Sequence, residues 1–236
     1  MNFKKIEIIT VAKVGSSDFL HSCKKIHPTI HSHSLLHLKR ILINHKNRLI
    51  IFGIRNPIDR NLSYFFQTYN DDFYNNVRIK ANNYKGEYNY IKEIRRNKIN
   101  NVNTERLIKI YFNMSFHKTF NEWFTEFFEI TGIDKSVFNI EKGLDFYNFP
   151  NNNTIMIYTL EKLNTNKDEI CRVLNIPELL HTNDSNNRHY KKTYNNVKEK
   201  IVYTKEYLDN LLNTDVMKFF YSEDTIKAMY NKYSTI

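Results

Sequence analysis

Ile6-Glu7-Ile8-Ile9-Thr10-Val11-Ala12, then Lys13-Val14-Gly15-Ser16-Ser17, then Asp18-Phe19-Leu20-His21-Ser22-Cys23-Lys24-Lys25: this stretch decides the fold. The segment from Ile6 to Ala12 is short, apolar and β-branched, the pattern of a buried strand. Asp18 to Lys25 places Phe19, Leu20 and Cys23 on one side, as a helix does. A loop that runs from a buried strand into a helix suits an anion, because the first helical N–H groups lack partners and the helix dipole faces the ligand. Gly15 lets the backbone approach closely, Ser16 and Ser17 add hydroxyl donors, and Lys13 adds a mobile charge. On its own, Lys-x-Gly-Ser-Ser is a weak motif that ordinary turns also contain.

Outward from that stretch the chain keeps alternating. An extended piece near Ile30 to Ser32 leads into a helix predicted over Leu35 to His45. Arg48 to Ile54 (RLIIFGI) predicts a second buried strand. Asn56 is placed as the N-cap, and Pro57 as the first residue, of a helix reaching Tyr69. Residues 70–103 are rich in Asn, Tyr and Lys, have weak periodicity, and predict an excursion from the core. Helices are expected at Thr104–Met114 and His117–Thr131, the latter ended by Gly132. Thr154 to Leu160 predicts a third strand, Glu161 to Leu174 a helix, and two helical segments follow a polar stretch at Asn183–Asn196. Strands alternating with helices predict an α/β fold around a parallel sheet. With no repeat and no linker, residues 1–236 are expected to form one domain.

Composition sets outer limits. The 236 residues are 41% hydrophobic and 14% aromatic, which predicts a packed core rather than a disordered chain. The net charge of +10 favours nucleic acid, acidic lipid, nucleotide phosphates or acidic glycans, although a solvated basic surface has the same charge. Cys23 and Cys171 show no CxxC or zinc spacing, so free thiols in a reducing compartment are expected. Charged residues interrupt every apolar run near the start, as they would not in a signal peptide, and no run is long enough to span a membrane. A cytoplasmic location is the expectation.

The most specific passage is Arg55-Asn56-Pro57-Ile58-Asp59-Arg60-Asn61-Leu62-Ser63-Tyr64-Phe65. Arg55 stands at a strand end, and Ser63 about two turns into the next helix, so a guanidinium fork and a hydroxyl could share one phosphate. Arg55 and Asp59 could equally be a capping ion pair, with Ser63 a small packing residue. A Walker A loop would place the lysine after its second glycine, whereas Lys13 precedes Gly15. Gly53-Ile54-Arg55 offers no carboxylate for a metal, which disfavours a metal-dependent NTPase.

Together the two segments resemble the donor-binding signatures of sulfotransferases that use 3′-phosphoadenosine 5′-phosphosulfate (PAPS). In that family a Lys-containing loop holds the 5′-phosphosulfate, and an Arg-(Asp/Asn)-Pro…Ser unit binds the 3′-phosphate. Lys13, Gly15, Ser16 and Ser17 match the first, and Arg55 and Ser63 match the second. The order Lys13, His31-Ser32-His33, then Arg55-Asn56-Pro57-Ile58-Asp59-Arg60…Ser63-Tyr64 is similar to the heparan sulfate 2-O-sulfotransferases. Phe120-Asn-Glu-Trp-Phe and the segment Tyr203 to Ser222 look like a bacterial family of capsular polysaccharide synthesis proteins. Ser16-Ser17 replaces the commoner Thr pair, Asp18 stands where small-molecule members carry Trp, and their Gly-rich C-terminal motif is absent. These departures weigh against a steroid or phenol acceptor.

The resemblance implies a P-loop-like three-layer fold with a central parallel sheet flanked by helices, and transfer of a sulfuryl group from PAPS to a hydroxyl of a glycan, capsular or otherwise at the cell surface. It also implies no metal. His27, His31, His33 and His37 crowd one stretch whose spacing suits a metal poorly, and single histidines are commonly surface residues. By the same resemblance, His31 and His33 are the candidates for the base that takes the acceptor proton, with His33 preferred. Arg188-His189-Tyr190-Lys191-Lys192 resembles the basic late loop that closes on the 3′-phosphate, so Arg188, Lys191 and Lys192 join the donor set. Two rivals stand beside this: a P-loop-like kinase of a small metabolite, which needs a Mg²⁺ carboxylate near Lys13, and a basic module for RNA or an acidic polymer, which needs a concentrated basic face.

Overall fold

Among the described residues five strands form one sheet, in the order β2-β1-β3-β5-β4. In chain order they are β1 (Lys5–Ile9), β2 (Thr29–Ser32), β3 (Arg48–Ile54), β4 (Leu144–Phe149) and β5 (Asn153–Thr159). The first three and β5 run parallel, and β4 pairs antiparallel with β5 at one edge. The computed structural model describes residues 3–68, 90, 102–113, 117, 119–134, 136–181 and 190–234. The expected excursion at 70–103 and the candidate Arg188 therefore lie outside the described residues, apart from Tyr90, Val102 and Asn103.

The chain divides into two compact units, one of Met1–Pro57, Lys118–Asn183 and Tyr203–Ile236, the other of Ile58–His117 and Asp184–Val202. The sheet belongs to the first. Side chains alternate between its faces, as the pleat requires. Ile6, Ile8, Leu49, Ile51, Met156 and Tyr158 share a cluster with Phe19 and Cys23 of α1 (Ser16–Cys23). Ile170 and Leu174 of the helix Lys167–Leu174 belong to it as well. On the opposite face Phe52 packs on Trp123 and Phe127 of the helix Thr119–Thr131, while Glu7 meets His37 of α2 (Leu35–Asn44). Helices thus cover both faces, and β5 is buried along its whole length, as a strand covered on both sides should be.

The first strand ends at Ile9 rather than Ala12, and three larger expectations are also overturned. The sheet is not wholly parallel: Leu-Asp-Phe-Tyr-Asn-Phe at 144–149 forms an edge strand that the sequence pattern did not signal. The helix expected over Glu161–Leu174 begins only at Lys167, after a 3₁₀ turn at Leu160–Lys162. Asn166 is the reason, for its buried amide donates to Lys142 O and Lys162 O at 2.8 and 3.0 Å, holding the chain in a turn there. Among the described residues the C-terminal part carries four helices rather than two segments: Lys191–Lys200, Lys205–Leu212, Asp215–Phe220 and Glu223–Ser234. Among the described residues no helix is long and apolar enough to cross a membrane.

Glu7 is a carboxylate on a central strand, 2% exposed. His37 lies 3.3 Å from it, with Lys5 and Arg48 at 3.6 and 3.8 Å, so the buried charge is compensated from both neighbouring strand and helix. Tyr158 is another buried polar anchor. Its hydroxyl donates to Val14 O at 2.6 Å, and a Cβ on Gly53 would run into its ring. Gly53→Ala is expected to cost about 1–3 kcal/mol by overpacking, and Tyr158→Phe about 1–3 kcal/mol by leaving the Val14 carbonyl unpaired. Urea unfolding checks both; an unchanged midpoint in each variant would remove Tyr158 as the brace under the loop.

Candidate functional site

β1 feeds α1 and β2 on one side of itself, whereas α2 returns the chain across β1 to β3 on the other. The strand order reverses between β1 and β3, and in open α/β sheets the crevice beyond the carboxyl ends at such a point is where ligands bind. The residues beyond those two ends are the Lys13 loop and Arg55.

The loop is held in an unusual shape. Lys13 and Gly15 both have positive φ, 73° and 84°, separated by Val14, which is fully buried. For glycine that conformation is free; for a lysine it costs roughly 1–2 kcal/mol. Burial of Val14 and the Tyr158 bond to its carbonyl fix the turn from beneath. Gly15 is also the N-cap of α1; Asp18 N–H donates to Gly15 O at 3.1 Å, and among the described residues no side chain caps that end, so the Ser16 and Ser17 amides remain for a ligand or water. Ser16 is buried and Ser17 half-buried. The structure brings the second motif to this loop directly: Arg55 Nη1 donates to Lys13 O at 3.4 Å.

Arg55 is followed by a turn fixed by a residue that the sequence did not single out. Glu161, just past the end of β5, accepts Asn56 N–H at 2.8 Å through one oxygen and the Tyr221 hydroxyl at 2.9 Å through the other. A carboxylate does stand at a strand end, then, and both its oxygens hold the Arg55–Asn56 turn to the C-terminal segment. Burial and that same carboxylate push the Tyr221 phenol well above its ordinary range, so it stays a donor. The signal for Glu161 was its position one residue beyond the strand expected over Thr154–Leu160, which acquires meaning only once β5 is known to lie beside β3.

The four crowded histidines separate. His27 bonds Leu174 O at 2.7 Å and His37 serves Glu7, both structural tasks. His31 and His33 lie together at the end of β2, with rings 4.7 Å apart and edge to face. His33 Nδ1 sits 2.5 Å from Thr10 O. A carbonyl only accepts, so Nδ1 carries a proton, which leaves Nε2 as the ring nitrogen able to accept one. Trp123 Nε1 donates to the His33 carbonyl at 3.3 Å and fixes the backbone there. His33 is exposed; His31 is half-buried, and its Nε2 has no hydrogen-bond partner among the described residues.

Burial, and then the neighbouring His33, lower the His31 pKa to about 4. Unfolded, it would titrate near 6.5. Between those values the unfolded chain binds a proton that the folded chain does not, so stability falls as pH drops through that window. His117, lowered to about 4 chiefly by burial, acts in the same direction. Urea midpoints between pH 7.5 and 4.5 should therefore fall with acid, and less steeply in His31→Gln. An identical slope in that variant would contradict the shift.

The remaining candidates belong to the second unit. Ser63 is half-buried on α3 (Pro57–Thr68), whose start follows Arg55 and Asn56. Lys191 and Lys192 are exposed and open the helix Lys191–Lys200, rather than lying in a loop. That first turn holds no acidic residue, so two cations stand at the positive end of a helix dipole, an arrangement that an anion would relieve. Tyr190 before them stacks on Phe66 with centroids 5.7 Å apart. No family model, no curated protein and no solved structure matches this chain.

Proposed function

We propose that this chain is a PAPS-dependent sulfotransferase with a P-loop-like fold, acting on a glycan hydroxyl. The observation that carries the proposal is the contact of Arg55 with Lys13 O at the switch point between β1 and β3, which joins the two motifs on which the resemblance rests. In this scheme the α1 amides, Ser16, Ser17 and Lys13 receive the 5′-phosphosulfate, and Arg55 a phosphate oxygen at the 3′ position. Ser63, Arg188, Lys191 and Lys192 keep the 3′-phosphate role that the resemblance gives them.

His33 Nε2 takes the proton of the acceptor hydroxyl, and its oxygen forms a bond to sulfur in line with the bond that breaks. The electron pair of that broken bond stays on the 5′-phosphate of the departing PAP. Lys13 and the loop amides stabilise the charge developing there. A metal-dependent kinase is supported less, since Glu161 already accepts two hydrogen bonds. The competition of PAP against adenosine 5′-phosphate tests the assignment. The wild type should prefer PAP, and Arg55→Ala should lose that preference. Equal affinity of the wild type for both nucleotides would remove Arg55 from 3′-phosphate recognition.

A further inference from the structure

At the other end of the same sheet lies a partly open cavity of about 320 Å³, apart from the Lys13 crevice. Its walls are the amino ends of the parallel strands and the turn joining β4 to β5, opposite the end that carries Lys13. A strand the length of β3, at about 3.3 Å per residue, puts roughly 20 Å between the two ends.

The lining has a definite chemistry. It contains four carboxamides (Asn47, Asn148, Asn152, Asn153), one hydroxyl (Thr154) and the rings of Phe3 and Phe149, with no ionisable side chain. In a chain with a net charge of +10, an uncharged pocket points away from phosphate and nucleotide. Asn153 is structural: its Oδ1 accepts Arg48 N–H at 3.0 Å and its amide donates to His45 O at 2.9 Å. Thr154 donates to Asn148 Oδ1 at 3.2 Å, which turns the Asn148 amide nitrogen into the remaining donor of that pair. That nitrogen and the carboxamides of Asn47 and Asn152 have no hydrogen-bond partner among the described residues.

Backbone geometry explains some of these residues but not all. Asn47 and Asn152 have φ of 55° and 56°, a conformation that Asn tolerates better than most residues, so a turn alone accounts for their type. Asn148 is on β4 in register with Thr154, where asparagine is a poor strand former and no turn requires it. Two half-buried phenyl rings beside groups that both donate and accept match a ligand with an apolar ring face and several hydroxyls. The volume lies at the small end of ligand pockets, about 300–1,000 Å³, which suits a single ring.

We propose that this cavity binds one neutral sugar unit, as a site separate from the Lys13 crevice. The proposal does not depend on sulfotransfer. Saturation-transfer NMR on the full chain tests it with the methyl glycosides of glucose, galactose and N-acetylglucosamine as probes. At least one should receive saturation into its ring protons, and the effect should fall at least tenfold in Phe149→Ala or Asn148→Ala at an unchanged melting temperature. Asn148 is exposed, so its variant remains informative if loss of the Phe149 ring unfolds the chain. Saturating PAP should leave the signal intact, and a chain that binds the sugars but not PAP would keep this site while losing the proposed function. No transfer to any of the three glycosides, signals unchanged in both variants, or displacement of the sugar by inorganic phosphate would overturn the proposal.

Discussion

Lys13→Ala is expected to lower sulfuryl transfer by about 10²–10³, the range for removing one preorganised donor from a transition state. The fold should survive. Lys13 is half-buried, and the loop around it is held by the Tyr158 hydroxyl on Val14 O and by the Gly15 backbone, neither of which needs the lysine side chain. Alanine keeps the Cβ that lysine already places in the left-handed region, so the backbone penalty stays similar. PAP release from PAPS, followed with the melting temperature, gives the answer. Full turnover with an unchanged melting temperature would take Lys13 out of the chemistry.

His33→Ala is expected to remove most turnover while PAP binding stays near wild type, because in the proposed scheme its Nε2 acts on the acceptor oxygen, whereas the Lys13 loop and Arg55 receive the donor. His31→Ala should have the smaller effect on turnover, since its ring is held neutral down to about pH 4 and packs edge to face on His33. If both variants keep near-wild-type rates on an acceptor that the wild type sulfates, the pair is not the base. Asp18, the first carboxylate after the loop, would then be next; it is buried, with His181 3.6 Å from it.

Much of the sheet was legible because its parallel strands are buried and their sequences show it: Arg48–Ile54 is the strand the sequence predicted, residue for residue. β4 was not legible. Asp145 and Asn148 interrupt its apolar residues, and an edge strand tolerates them because one side of its ladder is open. The loop and Arg55 could be singled out from residue order alone, but their juxtaposition depends on β1 lying beside β3. The supports were out of reach for the same reason. Tyr158 stands 144 residues from the carbonyl it holds, and Glu161 105 residues from the amide it accepts. For the His31 and His33 pair, sequence spacing offers no distinction of role, whereas the Thr10 carbonyl fixes the tautomer of one of them.

A calorimetric titration of the full chain with PAP, with ATP–Mg²⁺ and with an oligonucleotide tests the central claim most directly. Each of the three ligands stands for one chemistry: sulfuryl donor, phosphoryl donor and anionic polymer. The expected result is one PAP per chain, at an affinity above that for the other two and weakened at least tenfold in Arg55→Ala. Tighter binding of ATP–Mg²⁺ or of the oligonucleotide than of PAP would contradict it.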